Sequence, residues 1–126
     1  MEFSSISLAD VVVARPVGHI DHANAQALQQ ALTPILNEPP AGMVALVLDF
    51  AGVDYISSMG LRVLMIAAKQ MRALNARTAV TELRPVVKEI FDIARFNHVT
   101  EVFPSLRAAL QALSPAALAA YDAEAR

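Results

Sequence analysis

The sequence contains no cysteine, which excludes disulfides, thiolate metal sites and cysteine nucleophiles together. It also has no excess of basic charge. Ten Lys and Arg stand against twelve Asp and Glu, for a formal net charge of −2. No basic block is interleaved with aromatics, so the chain offers no face for tracking nucleic-acid phosphates. Any influence on transcription would have to pass through another protein. Long hydrophobic runs are missing as well. The most apolar windows, Met43 to Phe50 and Leu61 to Ala68, fall far short of the roughly 20 residues of a membrane-spanning helix. The opening Met1-Glu2-Phe3-Ser4-Ser5 lacks the basic and apolar regions of a secretory signal, and a cytoplasmic location is expected.

What is present is 126 residues, 56% of them apolar, with a mean hydropathy of +0.44 to which alanine contributes much. That length predicts a single domain, 1–126, able to bury a core without staples, with the core at about 5–112 and a tail at 114–126. Ile6 and Leu8, then Val11 to Val13, form two β-rich runs around an Ala9-Asp10 turn and predict an opening hairpin that closes at Arg15-Pro16-Val17-Gly18. Ala25, Leu28, Leu32, Ile35 and Leu36 share a helical face, with Asp21 or His22 near the cap. Pro39 and Pro40 end that helix. Met43 to Phe50 reads as a central strand buried on both faces. A second helix follows Ser57-Ser58-Met59-Gly60 through Leu61, Leu64, Ala68 and Met71. Ala79-Val80 is a short strand, and Arg84-Pro85 opens a third helix with Val87, Ile90, Phe91 and Ala94 inward, Pro85 standing in its first turn. Val99 to Phe103 is a last strand. A helix starts at Pro104-Ser105 and runs through Leu106, Leu110 and Leu113, and the tail either extends it or frays. The alternation predicts an α/β domain with a mixed sheet of four or five strands and helices mainly on one side.

The most informative segment is Ser57-Ser58-Met59-Gly60 at the mouth of the second helix. A serine at the N-cap accepts a hydrogen bond from a backbone N–H two or three residues on. The remaining free N–H groups and the positive end of the helix dipole tolerate or bind phosphate. The site therefore binds another molecule's phosphate, carries its own, or is only a cap.

The stretch from Val53 to Leu64, with Tyr55-Ile56-Ser57-Ser58-Met59-Gly60-Leu61 at its centre, resembles the signature segment of the STAS family. Gly18-His19-Ile20-Asp21, Leu46-Val47-Leu48-Asp49-Phe50 and Arg84-Pro85-Val86-Val87-Lys88-Glu89-Ile90-Phe91 resemble three further segments of that family in the same order, so the likeness runs over about residues 5–112. The resemblance implies an anti-sigma factor antagonist rather than an enzyme. Such a protein binds an anti-sigma factor with serine kinase activity when unphosphorylated and is released by phosphorylation, and a serine phosphatase restores it. Carried over by position, Ser58 is the phosphoacceptor, with Ser57 as a competitor, and Asp21, Ser57, Ser58, Met59, Gly60 and Arg62 belong to the partner surface. Two residues depart from the pattern: Ser57 replaces a frequent aspartate, and Met59 stands where a small residue is usual. No cofactor and no metal is implied. The same family also supplies constitutive scaffolds and subunits of stress-signalling or lipid-transport complexes, and this is the alternative reading.

Other chemistries are weaker. Asp21, Asp49 and Asp54 could gather a metal or act as acid and base, but aspartates at strand ends commonly form turns and caps. Ser58 with His19, His22 or His98 lacks a nucleophile elbow, because Ile56 stands where glycine is needed. The loop has one glycine and no P-loop lysine, so tight nucleotide binding is not expected. Met65 and Met71 read as core filling, whereas Met59 beside Ser58 reads as a contact for a partner.

Overall fold

The computed structural model describes residues 1–124; positions 125 and 126 of the expected tail lie outside the described residues. The opening hairpin forms as expected, with β1 (Glu2–Leu8) antiparallel to β2 (Val11–Ile20). The remaining elements are α1 (Ala25–Asn37), β3 (Ala45–Asp49), β4 (Val53–Ile56), α2 (Ser58–Ala73), β5 (Arg77–Thr81), α3 (Pro85–Ile93), a 3₁₀ turn (Phe96–His98), β6 (Glu101–Phe103), α4 (Leu106–Leu113) and α5 (Pro115–Glu124). The sheet runs β1-β2-β3-β5-β6, with β4 also paired to β2, and all pairings except β1–β2 are parallel.

The sheet thus has six strands rather than four or five. The extra strand, β4, escaped the sequence reading because two of its four residues, Asp54 and Tyr55, are both exposed and break the inward-outward alternation. The second strand is also longer than Pro16 and Gly18 implied. β2 pairs with β3 from Val11 to Ala14 and then with β4 from Gly18 to Ile20. The Gly18 N–H bonds Gly52 O at 2.8 Å, so the nitrogen of Pro16, two residues earlier, points to the same side, into the gap between the two partners where no ladder bond is lost. The register shifts between Gly18 and His19, and Gly18 has φ +104°, a bulge geometry suited to glycine.

Successive side chains of the central strands enter opposite cores, which explains the unbroken apolar runs. Val12, Ala14, Leu46, Leu48 and Val80 face α1, α2 and α3, together with Leu28, Leu32, Leu64, Met71, Phe50 and Phe91. Val11, Val13, Ala45, Val47 and Ala79 face α4 and α5 through Leu106, Ala109, Leu110 and Ala117. Three helices therefore lie on one side, as the sequence implied, and the other side is covered by the C-terminal pair.

The tail neither extends α4 nor frays up to residue 124. Ser114 breaks the helix in an extended conformation, caps α5 by accepting from the Ala117 N–H at 3.1 Å, and donates its hydroxyl proton to the Asp10 carboxylate in the first turn of the chain. Arg107 on α4 bonds Asp122 on α5. On the third helix, Val87 and Phe91 are buried as expected, whereas Ala94 is the exposed C-terminal cap.

Leu110→Ala should cost about 2–5 kcal/mol of stability, the range for truncating a fully buried leucine. Urea unfolding measures this, and a loss below ~0.5 kcal/mol would show that the second core is dispensable.

Candidate functional site

The site lies at the carboxyl ends of β2 and β4. The Ser57 N–H bonds Ile20 O at 2.7 Å, which ties the start of α2 to the tip of β2. Ser57 is the N-cap in extended conformation, and its Oγ accepts from the Gly60 N–H at 3.2 Å. Ser58 follows as the first helical residue, exposed, and its hydroxyl makes no hydrogen bond with the described residues. The two serines are therefore unequal: one hydroxyl is spent on capping and the other faces solvent.

Gly60 is buried, and its role is close packing within the domain. A Cβ there would lie 2.6 Å from Ile20 Cγ2 and 2.7 Å from Ile56 Cγ1. The first turn of α2 sits directly on the tips of both strands, a distance that only glycine permits. Gly60 thus shapes the surface without joining it. Met59 is 40% exposed beside Ser58. Arg62 is exposed one turn further on, and its i, i+4 spacing from Ser58 puts the two on one helix face.

Asp21 stands next to this surface in the β2–α1 turn. Its Oδ1 accepts from the Ala23 and Asn24 N–H groups at 2.9 and 3.1 Å, while its own N–H donates to Asn24 Oδ1 at 2.8 Å. Asn24, rather than Asp21 or His22, occupies the N-cap position of α1, and its Nδ2 donates to His19 O. Asp49 accepts from Arg15 Nε at 3.1 Å and from the Ala51 N–H at 3.0 Å. Asp54 pairs with His19 Nδ1 at 2.8 Å. The three aspartates are thus engaged separately in turns and pairs, and among the described residues no group of three or more His, Cys, Asp or Glu is placed to hold a metal.

The His19–Asp54 pair is the part of the site that sequence reading missed. It links β2 to β4, with the Tyr55 ring edge-on to His19 at 6.2 Å and 42% exposed. Its signal was invisible without β4, because His19 and Tyr55 become neighbours only through that strand's register. The hydrogen bond and charge of Asp54 raise the His19 pKa above its usual 6.5, and the bond to His19 lowers that of Asp54. His22 and His98 are exposed elsewhere.

The family model described as the STAS domain matches residues 5–109. A protein of Bordetella bronchiseptica, provisionally named anti-sigma factor antagonist BtrV, is 34% identical over 116 residues, covering 92% of this chain and 97% of that protein. The crystal structure of an anti-sigma factor antagonist from Mycobacterium paratuberculosis superposes with a TM-score of 0.76 at 24% identity, covering 89% of this chain and 94% of the other. The unphosphorylated form of the anti-sigma factor antagonist SpoIIAA gives a TM-score of 0.71 at 15% identity, covering 88% and 96%. SpoIIAA of Bacillus, solved in its phosphorylated form, gives 0.64 at 14% identity, covering 88% and 99%.

Ser57→Ala should lose about 1 kcal/mol by removing the cap, whereas Ser58→Ala should leave urea stability within ~0.5 kcal/mol. Equal losses would refute the unequal roles of the two hydroxyls. Histidine titration by NMR checks the ion pair. His19, raised by its partner, contributes stability that is complete below the unfolded pKa and disappears as pH rises through the folded value. Asp54, lowered, contributes above its unfolded pKa and loses the effect as pH falls through the folded value. The pair is therefore intact between the two, and Asp54→Asn should return the His19 pKa toward its usual value. An unchanged His19 titration would break the assignment.

Proposed function

The chain belongs to the STAS domain family, and from that premise we propose that it is an anti-sigma factor antagonist switched by phosphorylation of Ser58. The observation that carries this reading is the exposed, uncommitted Ser58 hydroxyl at the first position of α2, beside a Ser57 hydroxyl held by the Gly60 N–H. The partner is an anti-sigma factor with serine kinase activity, met in the cytoplasm, and a serine phosphatase reverses the modification. Transcription is affected only through that partner.

In the unphosphorylated form, Asp21, Ser57, Ser58, Met59 and Arg62 form the docking surface, with Gly60 fixing how closely the helix start sits on β2 and β4. Met59 supplies an exposed apolar contact between polar neighbours, and methionine adapts readily to a partner's contour. His19, Asp54 and Tyr55 border the same strand ends and extend the surface with an exposed aromatic ring.

Phosphorylation adds about −1.5 to −2 charges at Ser58. Within the domain that charge is favourable, because it sits at a helix N-terminus with Arg62 one turn away. At an interface fitted to a hydroxyl it is an uncompensated ion, which costs about 3–5 kcal/mol and weakens binding roughly a thousandfold. The switch therefore works by repulsion at the interface, and the fold stays as it is.

Binding to the cognate anti-sigma factor, measured by calorimetry, should be retained by Ser58→Ala and weakened at least ~100-fold by Ser58→Asp, in keeping with the burial cost of a single charge. Equal affinities for the two variants would refute the switch and favour a constitutive scaffold. Met59→Ala should weaken the same complex about 10-fold or more, as loss of a central apolar contact does, with little change in unfolding. Unchanged affinity would remove Met59 from the surface.

A further inference from the structure

The strand order puts β1 and β6 at the two outer edges of the sheet. An outer strand leaves a row of backbone N–H and C=O groups unpaired, and folded domains protect that row by keeping the strand short or by placing charge, proline or a bulge in it. β6 is protected, being three residues long and carrying Glu101. β1 is not. It runs for seven residues, has neither charge nor proline after Glu2, and pairs with β2 in one unbroken register. Ser4, Ser5 and Ser7 are exposed along it. α5 lies against one face of this end of the sheet, in the core that holds Ile6 and Leu8. Among the described residues no backbone hydrogen bond joins it to the free edge.

The register fixes which groups of that edge are free. Asp10 O accepts from the Val44 N–H on the β3 side, and the Gly18 N–H donates toward β4, to Gly52 O. Even-numbered residues of β2 therefore point away from β1, and Val11, Val13, Arg15 and Val17 point toward it. Their register partners Leu8, Ile6, Ser4 and Glu2 spend their backbone groups inside the hairpin. Phe3, Ser5 and Ser7 are left with N–H and C=O directed outward. These positions are symmetric about Ser5. A second copy laid antiparallel, with Ser5 opposite the partner's Ser5, sets Phe3 opposite the partner's Ser7 and Ser7 opposite the partner's Phe3, and each such pair exchanges both of its hydrogen bonds. Charge selects the same arrangement. Antiparallel pairing holds the two Glu2 carboxylates about 20 Å apart along the strand, at ~3.4 Å per residue, whereas parallel pairing in register would set them side by side at a cost. A foreign strand would be selected through pockets for its side chains, which serines at 4, 5 and 7 do not supply.

We propose that the chain associates with a second copy of itself through β1, the two strands meeting edge to edge about a two-fold axis at Ser5 to form one continuous sheet. The contact uses the same patch on both copies, so it closes at two chains and does not propagate. It is narrow, and the dimer therefore exchanges with monomer in the micromolar to millimolar range. Neither Ser57 nor Ser58 takes part in it.

Sedimentation velocity over a concentration series, on the unphosphorylated full chain, should show a monomer–dimer equilibrium. Ser5→Lys and Ser5→Glu should each weaken it about 5-fold or more by setting like charges opposite each other, with urea unfolding at low concentration unchanged. An equimolar mixture of the two variants should recover association, because the charges then meet as opposites across the axis. Amide exchange locates the contact: the Phe3, Ser5 and Ser7 N–H groups should exchange slowly at high concentration and fast at low, while those of Ser4, Ile6 and Leu8 stay slow at both. A chain that remains monomeric at millimolar concentration, a dimer indifferent to both charges at position 5, a mixture no better associated than either variant alone, or exchange at Phe3, Ser5 and Ser7 that ignores concentration would overturn the proposal. No kinase or phosphate enters the experiment, so its failure leaves the Ser58 switch standing.

Discussion

The close seat of α2 on the tips of β2 and β4 is the constraint on which the rest of the site depends. It exists because Gly60 carries no side chain where Ile20 and Ile56 fill the space, and because the Ser57 N–H closes onto Ile20 O. With those two contacts in place, Ser57 caps the helix and Ser58, its first residue, faces outward at the positive end of the helix. A β-carbon at position 60 would have to displace two buried isoleucines, so the position of the exposed serine and the integrity of the first core are a single structural fact.

That seat in turn requires β2 to serve two neighbours in succession. Its first half pairs with β3 and its second half with β4. The hand-over places Pro16 in the gap and a bulge at Gly18, and it brings the Gly18–Asp21 turn beside the start of α2. The hydrogen bonds of Asp21 and Asn24 then fix that turn, and the His19–Asp54 pair joins the two strand ends at the surface. The surface proposed for docking is thus held together by hydrogen bonds within the domain. On the proposed switch, adding charge to one of its residues changes what the surface binds rather than how the domain folds.

Much of this was legible in the sequence, and the parts that were not share a cause. The central strand at Ala45–Asp49, the stripes of α1 and α2 and the Pro85 start of α3 follow from local periodicity and caps, which depend on nearby residues alone. β4 is too short and too exposed for a periodic signal, and β2 was cut short because Pro16 and Gly18 act as breakers except where a gap between partners absorbs them. α5 was ambiguous for the same reason: its alanines give no stripe, and what makes it a separate helix is Ser114 reaching Asp10, 104 residues away. Ser58 and Met59 were singled out from the motif as candidates, and the structure adds that both are exposed and that only the Ser57 hydroxyl is engaged in capping. The His19–Asp54–Tyr55 group could not be found without the β2–β4 register.

On the proposed switch, Ser58, and not the capping Ser57, receives the phosphate. Peptide mapping by mass spectrometry, after incubation of the intact chain with ATP and its cognate anti-sigma serine kinase, tests it most directly. One phosphate per chain is expected, on Ser58, and none on the Ser58→Ala variant. A phosphate on Ser57, or no phosphate at all with a kinase that binds the chain, would contradict it.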